Sequence, residues 1–207
     1  MPKKSSKTEK AYAFIDATNF ENSVKEAGFS TVDYQKLFTW LTERMKCSRV
    51  FFYAGEQAGD AIAEQKHKTL QRLGYRIRIK KAQIYKNKDI LWQITCTCGR
   101  NWIEKVNTGY RTKANCDVTL TFDSMRNLGD YTKGVFFTGD GDFYDLFDYL
   151  VRRKRKVVII SLGFNHVSKR TSLPTKRTSL LLKPLLKNRI VDFIDLSVQF
   201  PKGILVA

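Results

Sequence analysis

The sequence is short of acid. Against 37 Lys+Arg it sets only 20 Asp+Glu over 207 residues, a formal net charge of +17. It is also short of cysteine: four (Cys47, Cys96, Cys98, Cys116) are too few for a disulfide scaffold in a chain this long. No apolar run approaches the ~18 residues a membrane span needs. Nothing of signal-peptide length follows the basic start Met1-Pro2-Lys3-Lys4-Ser5-Ser6-Lys7. There is no internal repeat. Together these absences exclude a disulfide-rich secreted module, a membrane-spanning protein and a repeat array, and the expected compartment is the cytoplasm. What is present suffices for a core: 43% of residues are hydrophobic and 13% aromatic, which excludes wholesale disorder despite the charge. A cationic excess of this size points to a polyanionic partner, nucleic acid first, with an acidic protein partner or a solubility role as alternatives. A homo-oligomer is possible but not indicated.

Residues 1–10 are polar and basic and read as a mobile tail ahead of one domain over residues 11–200. Short apolar runs at 11–15, 49–54, 75–79, 134–138, 156–161 and 190–196 predict buried strands. Helical spacing lies between them. It runs from Asp33, a fitting N-cap, to Lys46; from Ala61 to Leu73, stopped by Gly74; from Asn115 to Leu128; from Phe143 to Arg153; and over a Leu-rich stretch at 178–187. Residues 80–113 break the alternation, and their polar–apolar pattern predicts an antiparallel hairpin inserted at a sheet edge. Strands alternating with helices mean βαβ units, hence an α/β fold: a three-layer α/β/α sandwich with a mainly parallel central sheet. In such sheets ligands bind beyond the C-terminal ends of the strands.

That rule brings carboxylates together. Asp16 ends the first strand, Asp140 follows the 134–138 strand, Asp142 opens the next helix, and Asp117 opens the 115–128 helix. Each has an ordinary structural alternative. Asp142 could cap its helix with Asp145 nearby, Asp16 with Thr18 and Asn19 could be turn chemistry, and Asp117 could sit favourably on a helix dipole. Delivery of carboxylates to one edge by three separate elements argues for a counter-ion, and a hard divalent cation, Mg²⁺ or Mn²⁺, suits oxygen ligands. Asp123 lies about 240° around the helix from Asp117 and so points elsewhere, as a supporting or structural residue.

Three segments carry a resemblance. Phe14-Ile15-Asp16-Ala17-Thr18-Asn19 resembles the opening "apolar strand, Asp-Gly-x-Asn" signature of the NYN domains (LabA-like), in the PIN-like nuclease superfamily. Cys116-Asp117-Val118 is similar to their "Val-Asp-Val" helix start, and Thr138-Gly139-Asp140-Gly141-Asp142-Phe143 to their "Ser-Gly-Asp-x-Asp-Phe" block. The segments occur in family order. The resemblance implies a metal-dependent nuclease, a hydrolase acting mainly on RNA, with Asp16, Asp117, Asp140 and Asp142 as metal-holding catalytic carboxylates. It also implies that Asn19 orients the first carboxylate or the substrate. The sequence departs from the family at Ala17, where a glycine is usual, and at Asn115-Cys116, where a small and an aliphatic residue are usual; neither departure removes a carboxylate. The chemistry expected is hydrolysis of a phosphodiester by a metal-activated water.

Cations divide by topology. Arg152-Arg153-Lys154-Arg155-Lys156 joins a helix end to a strand start, the edge opposite the carboxylates. Lys80, Lys81, Lys86 and Lys88 follow one strand, and Lys169, Arg170, Lys176 and Arg177 follow another, so these eight are the candidate nucleic-acid contacts. In the hairpin, Trp92, Trp102, Tyr85 and Tyr110 interleave with Lys and Arg, which suits stacking on unpaired bases. Packing of the tryptophans onto the sheet is the slightly favoured expectation. Cys96, Cys98 and Cys116 suggest zinc, but without a fourth ligand reduced, partly buried thiols fit better. His67 is expected on the solvated surface, and His166 is a weak candidate on the carboxylate edge. Two other functions are weighed. A nucleic-acid-binding module without turnover has no use for a negative cluster. A haloacid-dehalogenase-like phosphatase would need a second Asp where Asp16-Ala17-Thr18 has Thr18.

Overall fold

A strand covered on both faces must be apolar at every position, and Ala11–Ile15 is fully buried throughout. The computed structural model describes residues 9–175 and 177–206; the side chains of 111–113, the candidate Lys176 and most of the basic tail lie outside the described residues. In chain order the elements are β1 (Ala11–Asp16), α1 (Ala17–Glu26), β2 (Thr31–Val32), α2 (Tyr34–Glu43), β3 (Cys47–Glu56), α3 (Ala61–Leu73) and β4 (Arg76–Lys81). There follow β5 (Gln83–Lys86), β6 (Ile90–Thr95), β7 (Asn101–Val106), β8 (Tyr110–Lys113), α4 (Asp117–Arg126), β9 (Lys133–Phe137), a 3-10 turn (Gly141–Phe143) and α5 (Tyr144–Arg152). The chain continues through β10 (Lys156–Ser161), a 3-10 segment (Leu180–Lys187), β11 (Val191–Asp195) and β12 (Leu205–Val206).

Six strands form one sheet in the order β11-β10-β9-β1-β3-β4, every neighbouring pair parallel. Alternate side chains of β1 feed two cores. Ala11, Ala13 and Ile15 pack with Phe20 and Val24 of α1, Leu37 and Leu41 of α2 and Leu70 of α3. Tyr12 and Phe14 pack on the other face with Leu120 of α4 and Leu146, Phe147 and Leu150 of α5. Phe14 stacks between Phe51 and Phe136 on the flanking strands, with centroids 5.4 and 4.9 Å away. The result is the three-layer α/β/α sandwich expected, with β1 at its centre. Among the described residues no helix is long and apolar enough to cross a membrane.

Beyond β4 the chain leaves the sheet as a long hairpin. β5 pairs with β8 and β6 with β7, all antiparallel, and the tip turns at Cys96–Arg100. Trp92 and Trp102 are 62% and 48% exposed, so the expectation that they pack onto the sheet is wrong: the β6–β7 ladder has no sheet beneath it.

Other details depart from the pattern in the sequence. Residues 17–26 form α1 directly after β1, where only turn chemistry was read; Ala17, Phe20 and Val24 give it a buried face. The Leu-rich stretch is 3-10 rather than α because Pro184 lacks the N–H an α-helix needs. His67 is buried, its Nδ1 2.8 Å from the Glu56 carboxylate, because α3 turns that face inward beside Leu70. Asp123 is also buried, and is structural as expected: it accepts from the Tyr53 hydroxyl at 3.2 Å and from Arg78 Nε at 2.9 Å.

The Asp123 contacts set an order of substitution costs. Arg78→Ala leaves a buried carboxylate with one neutral donor and should cost about 3 kcal/mol. Asp123→Asn keeps an acceptor for both donors and should cost about 1 kcal/mol. Urea unfolding of the two variants checks the order, and equal losses would contradict it.

Candidate active site

The parallel sheet delivers its C-terminal ends to one edge, and three loops there carry acid. β1 ends at Asp16, which is also the N-cap of α1: its Oδ1 accepts the Asn19 backbone N–H at 3.2 Å. β9 continues through Thr138 and Gly139 to Asp140, which caps the following 3-10 turn by accepting the Asp142 N–H at 3.1 Å. Asp117 is the first residue of α4, and its N–H donates to the Asn115 side chain at 2.8 Å. Asn19 joins two of these loops, since its Oδ1 accepts the Gly139 N–H at 3.1 Å. Gly139 must be glycine for a steric reason. A Cβ there would overlap the Arg177 carbonyl oxygen and the Ser161 hydroxyl.

One carboxylate oxygen from each of Asp117, Asp140 and Asp142 can be chosen so that all three lie within 4.8 Å of one another. Asp16 closes the group electrostatically. Its pKa is pushed up to about 6, chiefly by burial and further by the charges of Asp117 and Asp140, with the Asn19 N–H opposing. The cleft, of about 210 Å³, is lined by these four aspartates with Thr18, Asn19, Asn22, Ala114, Asn115, Cys116 and Arg177. Thr18, Asn22 and Asn115 were not singled out from the sequence. Recognition of α1 would have placed Asn22 one turn from Thr18 on its exposed side. Burial and the charges of Asp16 and Asp117 push the Cys116 thiol up to about 11, so it stays protonated. Among the described residues the one group of three or more candidate metal ligands is the aspartate trio, which leaves the cysteines without a zinc site.

The candidate cations separate. Arg177 lines the cleft and reaches Glu26 at 3.4 Å. Lys169 and Arg170 are not among the residues that line the cleft; their loop folds along α1, where the Lys169 N–H donates to the Glu26 carbonyl and its side chain lies over Gly28, and Arg170 bears on the Glu26 carboxylate beside Arg177. His166 is there too, its Nε2 3.3 Å from the same carbonyl. Lys80 and Lys81 end β4 in solvent, with Lys80 close enough to bear on the Cys116 thiol. Lys86 and Lys88 are out on the hairpin. The run 152–156 serves the opposite edge, where Arg152 pairs with Asp148, Arg155 donates to the Leu128 carbonyl and Lys156 pairs with Asp192. Where the hairpin returns, Ala114 packs against β3 at Gly55, and a side chain on Gly55 would overlap it.

An all-parallel sheet with carboxylates gathered at its C-terminal edge is compatible with a nuclease-type fold. The model of the NYN domain matches residues 10–174, and the chain belongs to that family. A crystal structure of a protein of unknown function from Vibrio parahaemolyticus matches with a TM-score of 0.62 at 21% identity, covering 95% of this chain and 98% of that one. That likeness concerns the fold alone. A ribokinase structure from Giardia lamblia matches at 18% identity over 60% of this chain and 38% of that one, with a TM-score of 0.34, too low to carry an argument. No curated protein matches the sequence.

The Asp16 pKa has a consequence for stability. A carboxyl whose folded pKa is raised contributes stability that is present below about 3.8 and is lost as the pH rises through about 6. Without divalent ions, Asp16→Asn should therefore stabilise the protein by about 3 kcal/mol at pH 8 and by roughly half that at pH 5. Asparagine still caps α1, so the helix start is preserved. Urea unfolding in EDTA at the two pH values checks it; a difference independent of pH would mean that Asp16 is solvated.

Proposed function

We propose that this chain is a metal-dependent nuclease that hydrolyses phosphodiester bonds, with RNA as its foremost substrate. The observation that carries the reading is the convergence of Asp117, Asp140 and Asp142 within 4.8 Å beside an Asp16 that resists ionisation. Ligand oxygens on one hard cation, each about 2.0–2.6 Å from it, lie no farther apart than roughly 4–5 Å, so the trio fits such an ion. All its donors are carboxylate oxygens, which favours Mg²⁺ or Mn²⁺ over softer metals. Asp16, Asp117, Asp140 and Asp142 would hold it. When bound, such an ion supplies positive charge against the scissile phosphate and lowers the pKa of a coordinated water.

The remaining groups have complementary tasks. Asn19 spends its oxygen on Gly139, which fixes the amide and leaves its NH₂ to donate to a carboxylate or a phosphate oxygen. Arg177 is the cation best placed in the cleft for a phosphate. Lys80 and Lys81 extend the contact along the β4 end. No nucleophilic side chain is required of the protein, and the one thiol in the cleft, Cys116, is held in its protonated form.

Cleavage of single-stranded RNA, structured RNA and DNA, with Mg²⁺, Mn²⁺ or EDTA, tests the reading. Asp140→Asn and Asp16→Asn should each lower the rate by at least on the order of 100-fold. Persistent cutting by both variants, or in EDTA, would overturn the assignment. Ion binding has its own readout: Mn²⁺ should raise the melting temperature of the wild type, and much less that of Asp117→Asn. For substrate affinity, Arg177→Ala should weaken binding and lower its salt dependence, while Arg152→Ala/Arg153→Ala should leave both nearly unchanged. The reverse ranking, read from binding isotherms at several salt concentrations, would place the substrate on the opposite edge.

A further inference from the structure

The hairpin is the feature the cleft does not explain. An isolated two-stranded ladder is marginal in water, and this one keeps its large apolar side chains in solvent. Ile84, Ile90, Leu91, Trp92, Trp102, Ile103 and Tyr110 are each at least 48% exposed. Ladder register orders them. Trp92 faces Glu104 and Trp102 faces Ile94, so both tryptophans lie on one face of β6–β7, two rungs apart and diagonal to each other. Diagonal neighbours on a ladder stand roughly 7–8 Å apart, within reach of one another for aromatic side chains.

The charge on the same segment selects the occupant. Residues 80–113 carry eight Lys and Arg against two acidic residues, Asp89 and Glu104. Asp89 is already engaged by Lys86 at 3.5 Å and Lys105 at 3.1 Å. Lys80 and Lys81 at the root and Lys88 and Arg100 farther out all point into solvent. A protein partner would match both only by setting acidic residues around an apolar face. An unpaired nucleic-acid strand matches both, since its phosphates meet the cations and its bases have π-faces for the tryptophans. The hairpin is also continuous with the cleft. It leaves at Lys80–Lys81 and returns through Ala114, Asn115 and Cys116, which line the cleft, to Asp117.

We propose that the 83–113 hairpin is a strand-holding arm: Trp92 and Trp102 stack on bases of an unpaired stretch of the substrate whose backbone enters the aspartate cleft. The arm selects single-stranded substrate, or a single-stranded tail on a structured one, over plain duplex. This deepens the nuclease reading and rests on it for the identity of the cleft, but its test does not depend on cleavage.

The chain has three tryptophans, and the third, Trp40, is partly buried and packed against Phe200 at the edge of the core. In a Trp40→Phe background the emission therefore reports the arm alone. In EDTA, titration with a uridine oligomer of about 20 nucleotides should quench that emission, while a duplex of equal length should do so weakly. Trp92→Ala/Trp102→Ala, measured with a labelled oligomer, should lose about 5- to 100-fold in affinity per tryptophan with little change in salt slope. Trp92→Phe/Trp102→Phe should recover most of that loss, which a merely misfolded arm would not. Lys80→Ala/Lys81→Ala should instead lower the slope.

Absence of quenching, or equal affinity of the double alanine variant and the wild type, would overturn the arm. So would a wild-type dimer in sedimentation that the double alanine variant converts to monomer without loss of oligomer affinity, since the face would then be a contact between copies. The two readings fail separately. Quenching by the oligomer with no cleavage of any nucleic acid removes the nuclease and keeps the arm. Metal-dependent cleavage with arm variants that bind like wild type removes the arm and keeps the nuclease.

Discussion

Repulsion among carboxylates is the constraint around which this molecule is arranged. Four aspartates meet beyond the ends of β1 and β9 and at the start of α4, and one of them, Asp16, is held largely out of water. Like charges at such separations cannot all ionise cheaply without a counter-charge. The backbone supplies part of it. Asp16 and Asp140 each accept an N–H at the start of a helical turn, where the dipole favours an anion. A cation would supply more of it. The surrounding structure serves to keep the group from relaxing. β1 is buried on both sides of a six-stranded sheet, Gly139 fits where no side chain could, and Asn19 fastens the β1 loop to the β9 loop.

Positive charge is distributed by the same logic. The densest run, 152–156, is consumed in local structure: Arg155 closes the end of α4 through the Leu128 carbonyl, and Lys156 pairs across the sheet edge with Asp192. Those contacts hold the edge opposite the cleft. Among the described residues, Arg177 lines the cleft and Lys80 lies near enough to bear on Cys116. A dense cationic patch there would neutralise the aspartates directly and compete with a metal. Sparse cations at the rim can draw in a polyanion without crowding the carboxylates.

Much of this was legible in the sequence. Short apolar runs alternating with helical spacing gave the parallel sheet, and the parallel sheet placed Asp16, Asp117 and Asp140 on one edge before any side chain was located. Asp123 was set aside on helix geometry alone, and it is buried against Tyr53 and Arg78. Other features were hidden in the sequence, each for a local reason. Asp16, Thr18 and Asn19 all favour turns, which hid a helix whose apolar signal, Ala17, Phe20 and Val24, is sparse. His67 sits between two lysines, and that flanking charge masked a buried position on α3. The 163–177 loop is long and polar, so its strand of origin said nothing of where Lys169 and Arg170 would settle; contacts with Glu26 and Gly28 decide it. The tryptophans were expected beneath the hairpin because large apolar residues usually find a surface. A ladder without a sheet behind it offers none.

The close packing of Ala114 on Gly55 gives the arm a mechanical character. Only three residues separate the returning strand from Asp117, and the first of them is braced against β3. A hinge there would have let the arm swing independently of the site. With a brace instead, the arm is fixed relative to the helix whose first residue is one of the four carboxylates.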